Sequence, residues 1–513
     1  MEIFSFALYF VIVLAIGVFF FVKSKSNSEK DYFLGGRSMG PWVTAMSAQA
    51  SDMSAWLLMG LPGSILAFGL GKAWIGIGLA IGTALNWIFV AKRLRCFSKQ
   101  AGDSITLPQY LKNRFASKGY ALQIVSAIIF LVCFTIYAAS AFKAGADVFI
   151  ALFPGLDSMP MVAMGIFAAI LILYTFLGGY KAVCWTDFFQ GILMLVAVLA
   201  IPIIIVLTKN LDASSLNNVL SYVEDGKVVN CEFNANPFAA DWKEIISGLA
   251  WGLGYFGMPH ILVRFMAIEK PSMVKKSATV AIIWVVLSLG ATILMAYYGR
   301  MLVGEELIVE QAGKQSHVFI QLARDLFPGL ITGVLLAAII AASMSTADSQ
   351  LLVASSSFTS DIYRPLVANK KNVSDKEVLW IGRIVVIIIA IVAFFIASDA
   401  VTVKEGESSG AQAIMDMVEN AWAGFGSAFG PTVILSLFWK RLTYKGAVAG
   451  VVVGALVDVL WYIFLSTSTG IYEIIPGFIC GFVTCVVVSL VDKKPSQEVE
   501  SLFNNAVAEA KAN

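Results

Sequence analysis

Long apolar runs separated by short polar segments divide this chain from end to end. A run of about 18 or more apolar residues is long enough for a helix to cross a bilayer. The pattern predicts thirteen spans, at 4–22, 40–67, 71–92, 121–152, 160–178, 185–208, 243–266, 276–302, 329–359, 377–398, 413–438, 444–466 and 474–491. The first has no basic stretch before it and no small-residue cleavage pattern after it, so it reads as a retained helix, not a signal peptide.

Two spans break the pattern. In Met46–Gly60, MSAQASDMSAWLLMG, the polar side chains Ser47, Gln49, Ser51, Asp52 and Ser54 fall within eight residues. An ionisable group at bilayer depth costs roughly 2.5–3.5 kcal/mol even on the lenient insertion scale. A helix broken near the midplane, lining an enclosed cavity, avoids that cost. About 200 residues on, 243–266 carries Gly248, Gly252, Gly254, Gly257 and then Pro259, which in mid-helix would orphan a carbonyl one turn back. Matched breaks point to a transporter built from inverted repeats. The repeats cover 40–208 and 243–438, five helices each, inside one polytopic domain of residues 1–492. Helix 4–22 is extra at the N-terminus, 444–491 adds two helices, and 493–513 is a helical, exposed tail.

Loop charge sets the orientation, because short cytoplasmic loops collect Lys and Arg. Basic residues gather in Lys23–Arg37, 92–118, 270–276, 364–376 and 440–445. The alternate segments are acidic, with Asp212, Glu224, Asp225 and Glu232 in 209–242, and Asp399, Glu405 and Glu407 in 399–412. The N-terminus is thus expected outside and the C-terminus in the cytoplasm. Segment 209–242 reads as a surface loop or short lid, and 317–328 as a short amphipathic helix at the outer interface.

Composition agrees: 58% of residues are hydrophobic and 14% charged, against about 25% charged in soluble domains. A net charge of +2 gives no reason to expect nucleic acid. The six cysteines have no regular spacing and read as free thiols, and the two histidines form no metal pattern. Neither HExxH nor GxSxG occurs, so an enzyme is not expected, and the tail is too short for a sensor's output domain. GLGYFG at 252–257 fits the dinucleotide fingerprint GxGxxG but lies inside a span, where close packing explains the glycines better.

In Leu335–Ser357, residues Ser345, Asp348 and Ser349 share a helix face with Thr346 beside it. Single hydroxyls commonly bond to the carbonyl one turn back. The cluster with an aspartate at mid-span favours an ion site with oxygen ligands. Asp187 follows Trp185 and Thr186 at the start of an expected span and reads as a helix N-cap or first-turn acid. Lys143 and Asp147 read as a structural pair, Asp416 and Glu419 as an outer mouth, and Asp458 has no assigned partner.

The segments FLGGRSMGPWVTAMSAQASDMSAWLLMGLPGS, FTIYAAS, YTFLGGYKAVCWTDFFQG, WGLGYFGMPHILVRFMA, AASMST, NAWAGFGSAFGP and YEIIPGF carry a resemblance. The chain resembles the sodium/solute symporter family over nearly all its spans, nearest the bacterial branch that carries proline. The resemblance implies an all-α membrane fold of the LeuT type, a five-plus-five inverted repeat with one extra N-terminal and two extra C-terminal helices. It implies sodium-coupled uptake of L-proline by alternating access in a bacterial cytoplasmic membrane, with Na+ as co-transported ion and no cofactor. The alternative is a sodium or proton symporter for another small amino acid or organic acid.

Carried over by position, the resemblance implies a sodium site from Ala50, Met53, Ala342, Ser345 and Thr346. It implies substrate contacts from Ser54, Ala55, Tyr137, Trp251, Tyr255 and Pro259, and coupling roles for Arg37, Gln49 and Asp52. Trp251, Tyr255 and Pro259 are spaced i, i+4 and i+8, and aromatic faces suit a pyrrolidine ring. Gln49 and Ala55 stand where the family pattern has glycines, and Asp348 where the proline branch has serine. As in sialic acid symporters of the family, Asp187, Asp348 and Ser349 are then expected to form a second cation site or to share a proton.

Overall fold

A computed structural model describes residues 1–23, 28–224, 227–368, 373–401 and 410–512. The loop charges Lys25, Asp225, Lys370, Lys371, Glu405 and Glu407 lie outside the described residues. In chain order the helices are α1 (Glu2–Lys23), α2 (Glu29–Leu34), α3 (Pro41–Asp52), α4 (Gly60–Phe68), α5 (Ala73–Leu85), α6 (Lys92–Gln100) and α7 (Leu107–Arg114). Then follow α8 (Ala121–Leu152), α9 (Pro160–Thr208), α10 (Trp242–Ala250), α11 (Pro259–Ala267), α12 (Val274–Glu305), α13 (Val318–Leu326) and α14 (Gly329–Ser357). The chain ends with α15 (Arg364–Ala368), α16 (Asp375–Val401), α17 (Gly410–Phe438), α18 (Tyr444–Phe464), α19 (Ser466–Thr469), α20 (Ile474–Val491) and α21 (Gln497–Ala512).

Among the described residues ten helices are long and apolar enough to cross a membrane, or eleven if the pair α10–α11, bent by 43°, counts as one span. The two expected spans outside that number are 40–67, present as α3 and the shorter apolar helix Ala55–Phe68, and 160–178, the first part of α9. α9 turns at Gly179, whose φ of 61° lies in the left-handed region. A side chain there would be strained, and its Cβ would also press to 3.0 Å from the Tyr32 ring.

The outer segment after α9 is more than a loop. Strands β1 (Leu220–Glu224) and β2 (Lys227–Cys231) pair antiparallel, with Leu220 opposite Cys231. Arg300 of α12 pins this hairpin by donating to the carbonyls of Asn218 (2.6 Å) and Cys231 (3.1 Å). α13 forms where an interfacial helix was expected, but Val318, Phe319, Ile320, Leu322 and Ala323 are buried, so its apolar face packs inward.

The tail differs from the expected exposed helix. In α21, Val499, Phe503 and Ala506 recur at helical spacing and are buried. Phe503 meets Phe97 edge-on at 5.3 Å, and the Arg114 guanidinium lies over its ring.

The glycines of 243–266 serve close packing. A Cβ on Gly82 of α5 would stand 2.4 Å from the Gly252 carbonyl oxygen, and one on Gly78 the same distance from that of Gly248. Gly82→Val should push the two backbones apart at about 1–3 kcal/mol. The expected result is a lower thermal midpoint for the purified variant, and an unchanged midpoint would show that the seam can relax.

Candidate functional site

α3 ends at Asp52 because the chain leaves helical geometry at Met53 (φ −84°, ψ 80°) and is extended at Ser54. A short 3-10 turn, Ala55–Leu57, leads to α4. In the second break, α10 tightens into a 3-10 turn at Trp251–Phe256, and Met258 is extended. Pro259 then opens α11, where its missing N–H is no loss. The sequence reading had Pro259 interrupting a helix. The break lies just before it instead, where Gly257 and Met258 both donate to the Gly254 carbonyl.

The two breaks meet through side chains. The Tyr255 hydroxyl donates to Asp52 Oδ2 at 2.5 Å, and Trp56 Nε1 reaches the Asp52 carbonyl at 3.4 Å. Tyr137 of α8 lies within reach of Ser54, Trp56 and the Asp52 carboxylate. Tyr137 OH and Asp52 Oδ1 are buried and have no hydrogen-bond partner among the described residues. Ser54, Ala55, Trp251 and Pro259 are buried with them. Sequence reasoning missed the aromatic cover. Trp422 stacks on Trp251 at 6.3 Å and donates to its carbonyl at 2.8 Å, while Tyr472 approaches Trp251 at 5.4 Å. Trp422 stands inside the quoted segment NAWAGFGSAFGP, where an aromatic among small residues was the available signal. Trp251 and Glu419 also line a cavity of about 560 Å³.

Of the expected sodium ligands, Ser345 meets Ala50 and Ala342. Ser345 Oγ of α14 donates to the Ala50 carbonyl of α3 (2.7 Å) and to that of Ala342 (3.2 Å). Thr346 Oγ1 beside it is buried and without a partner among the described residues. Met53, fully buried, follows the last residue of α3, three residues beyond Ala50. Carbonyls at a helix break and two hydroxyls form the oxygen-rich set a small hard cation needs. The donor set fits.

One turn along α14 lies a second polar cluster. Asp187 is not at a helix start: it lies eight residues beyond the turn at Gly179, inside the stretch that runs to Thr208, so the N-cap reading is overturned. Its Oδ2 accepts from Ser47 Oγ (2.6 Å) and pairs with Arg264 Nη2 (3.0 Å). Arg264 also donates to Ser47 Oγ (3.1 Å), the His260 carbonyl (2.7 Å) and Ser349 Oγ (2.5 Å), and Ser349 Oγ donates to Asp348 Oδ1 (3.2 Å). Asp187, Asp348 and Ser349 are thus brought together around an arginine that the sequence reading did not single out. Its signal was a lone arginine in the apolar run HILVRFMA.

Arg37 sits apart from these clusters, with a left-handed φ of 53°. Its Nε pairs with Asp103 at 2.7 Å, Nη2 donates to the Ser104 carbonyl at 2.8 Å, and Nη1 reaches Ser98 Oγ and the Met266 carbonyl. Beside it Met39 and Ile268 form a parallel bridge. Burial opposes the charged form of Asp103, yet hydrogen bonds from Lys30 and Arg37 hold its carboxyl below the usual range. Together these contacts clamp the chain before α3 to the end of α11. Gln49 is buried with Nε2 unpartnered among the described residues. Lys143 and Asp147 form the expected pair at 2.7 Å, and Asp458 gains a partner in Ser427 Oγ at 2.9 Å.

Two interrupted helices meeting at a buried polar centre, within ten or eleven apolar helices, define a multi-pass membrane protein built around an enclosed site. A model of the sodium:solute symporter family matches residues 32–454, and the chain belongs to that family. It is 40% identical over 506 residues to the sodium/proline symporter of Escherichia coli K12, covering 98% of this chain and 96% of that one. It is 42% identical over 507 residues to the sodium/proline symporter of Haemophilus influenzae, covering 98% and 97%. Among solved structures, a Na+-coupled sialic acid symporter in a substrate-bound outward-open state has the same fold, with a TM-score of 0.76 at 18% identity over 97% of this chain and 98% of that one.

Proposed function

We propose that this protein is a sodium-coupled L-proline symporter working by alternating access in a bacterial cytoplasmic membrane. The reading takes the full thirteen-span, LeuT-type inverted repeat, with the N-terminus outside and the C-terminus in the cytoplasm. The observation that carries it is the joining of the first break to both partners, to the second break through Tyr255–Asp52 and to α14 through Ser345–Ala50. Sodium bound by the carbonyls of Ala50, Met53 and Ala342 and the hydroxyls of Ser345 and Thr346 holds α3 against α14. That differential affinity favours the state that accepts substrate. Proline's ring lies among Tyr137, Trp251, Tyr255 and Pro259, its ammonium on Asp52 Oδ1 and its carboxylate beside Ser54 and Ala55 at the break. Rocking of the helix bundles then breaks the Arg37 clamp and releases both ligands inside.

One sodium crossing about 100 mV yields roughly 2.3 kcal/mol, and a tenfold gradient about 1.4 kcal/mol more. That suffices for a several-hundred-fold solute gradient. Labelled L-proline should accumulate in proteoliposomes beyond equilibrium under an inward sodium gradient, and not under an equal potassium gradient or protons alone. If other small amino acids or organic acids drive the overshoot while proline does not, the substrate is one of those, with Gln49 and Ala55 as the first positions to revert.

A second cation is favoured by charge. Asp187 and Asp348 are fully buried with one guanidinium between them, and Asp187 Oδ1 and Asp348 Oδ2 have no partner among the described residues. Two adjacent carboxylates resist joint ionisation without compensation. A further sodium, or a shared proton, completes the balance. Asp348→Ser should therefore lower the sodium-to-proline flux ratio or change its pH dependence, and an unchanged ratio at every pH defeats this reading.

A further inference from the structure

Fifteen residues beyond Thr346 on the same helical path, a rise of about 22 Å, lies a cluster that the transport site does not use. α14 passes there into a wide π turn, Phe358–Tyr363, a distortion that recurs at functional sites. Asp361 in that turn is fully buried. Its Oδ1 takes both available donors, Thr106 Oγ1 at the start of α7 (2.9 Å) and Gln123 Nε2 of α8 (2.7 Å). Its Oδ2 takes none. Ser357 stands beside the same carboxylate. Ser357 Oγ and Gln123 Oε1 are buried and, like Asp361 Oδ2, have no partner among the described residues.

The charge here is unbalanced too. Glu29 of α2, 2% exposed, accepts from Ser360 Oγ and pairs with Arg364. Arg364 is shared further with Asp375 at 3.5 Å. Among the described residues, two buried carboxylates, Glu29 and Asp361, therefore have one guanidinium between them. Anchoring α7 and α8 to α14 accounts for Asp361 Oδ1 alone. It leaves three buried oxygens, one of them a carboxylate oxygen, without a hydrogen-bond partner among the described residues. A cavity of about 250 Å³ comes as near the cluster as Gln123 and Ser360, and its walls include Lys112, Tyr120 and Arg364 but neither Asp361 nor Ser357. The Lys112 ammonium is turned onto the Tyr120 ring at 3.7 Å, and Arg364 is already paired, so neither fills the place beside Asp361.

We propose that Asp361 Oδ2, Ser357 Oγ and Gln123 Oε1 bind a monovalent alkali cation, and that the site is a release station for sodium between Thr346 and the cytoplasm. The identity of the ion as sodium rests on the function proposed above, whereas the oxygen site does not. The test is equilibrium binding of ²²Na⁺ to the purified full-length protein, with monodisperse elution as the check of folding. Asp361→Asn keeps the shape and should bind one sodium per chain fewer than wild type. Ser357→Ala should keep the number and weaken one class of sites about tenfold. Equal counts and affinities in wild type and both variants overturn the proposal, and if D361N does not elute as a folded species, S357A decides alone. Sodium-dependent proline binding measured on the same wild-type sample reports on the transport reading separately, so failure of either is visible without the other.

Discussion

Replacing Arg264 by methionine should cut sodium-driven uptake at least a hundredfold and destabilise the protein. The side chain is 1% exposed and makes bonds to three helices, through Ser47, Asp187 and Ser349. Removing one partner of a buried ion pair costs about 3–5 kcal/mol, because the other charge stays behind unpaired. Here two carboxylates stay behind, and methionine replaces only the aliphatic stem. Thermal midpoint and initial uptake rate measure the two consequences. The double variant R264M/D187N should recover much of the stability, since it removes one orphaned charge, and little of the uptake, since Ser47 and Ser349 remain unlinked. R264M with uptake within threefold of wild type would show that the arginine is a bystander.

Asp52→Asn should lower kcat/KM for proline roughly 10- to 100-fold, from the loss of about 1.5–3 kcal/mol in hydrogen bonds to a charged group. Asp52 meets the second break through the Tyr255 hydroxyl, and its other oxygen, unpartnered among the described residues, is the one assigned above to the substrate's ammonium. Asparagine keeps the shape, so the effect isolates the charge. Tyr255→Phe removes one donor and leaves the carboxylate, so its effect should be nearer tenfold. Because both changes act on one bond, the double variant should lose less than the product of the single losses. Independent effects in that cycle would place the two residues in separate roles.

Much of this was legible because lipid forbids an unsatisfied backbone. The limits of α8, α14 and α20 follow directly from apolar runs, and the two breaks from polar and glycine clusters inside them. Pro259 was read one step wrongly: sequence shows a proline in a span, and only the backbone shows that it opens a helix. The hairpin had a local signal, Asp225-Gly226 between the short segments LSYVE and KVVNC, that the reading of 209–242 as a loop passed over. Burial of α21 could not be read, since its apolar face needs Phe97 and Arg114, some 400 residues earlier. Arg264 was hidden for the same reason. An arginine in an apolar run is conspicuous, but its partners come from α3, α9 and α14.

The indoles of Trp56, Trp251 and Trp422 lie in a row beside Tyr472, between the cavity that Trp251 lines and Asp52. On the alternating-access reading proposed above, opening a path from that cavity to the carboxylate parts these planes. Their parting moves three chromophores out of a dry, stacked environment toward water, which shifts their emission to the red. The cover over the site is therefore also a built-in optical signal: stopped-flow fluorescence can time the opening of the outer gate with no label attached.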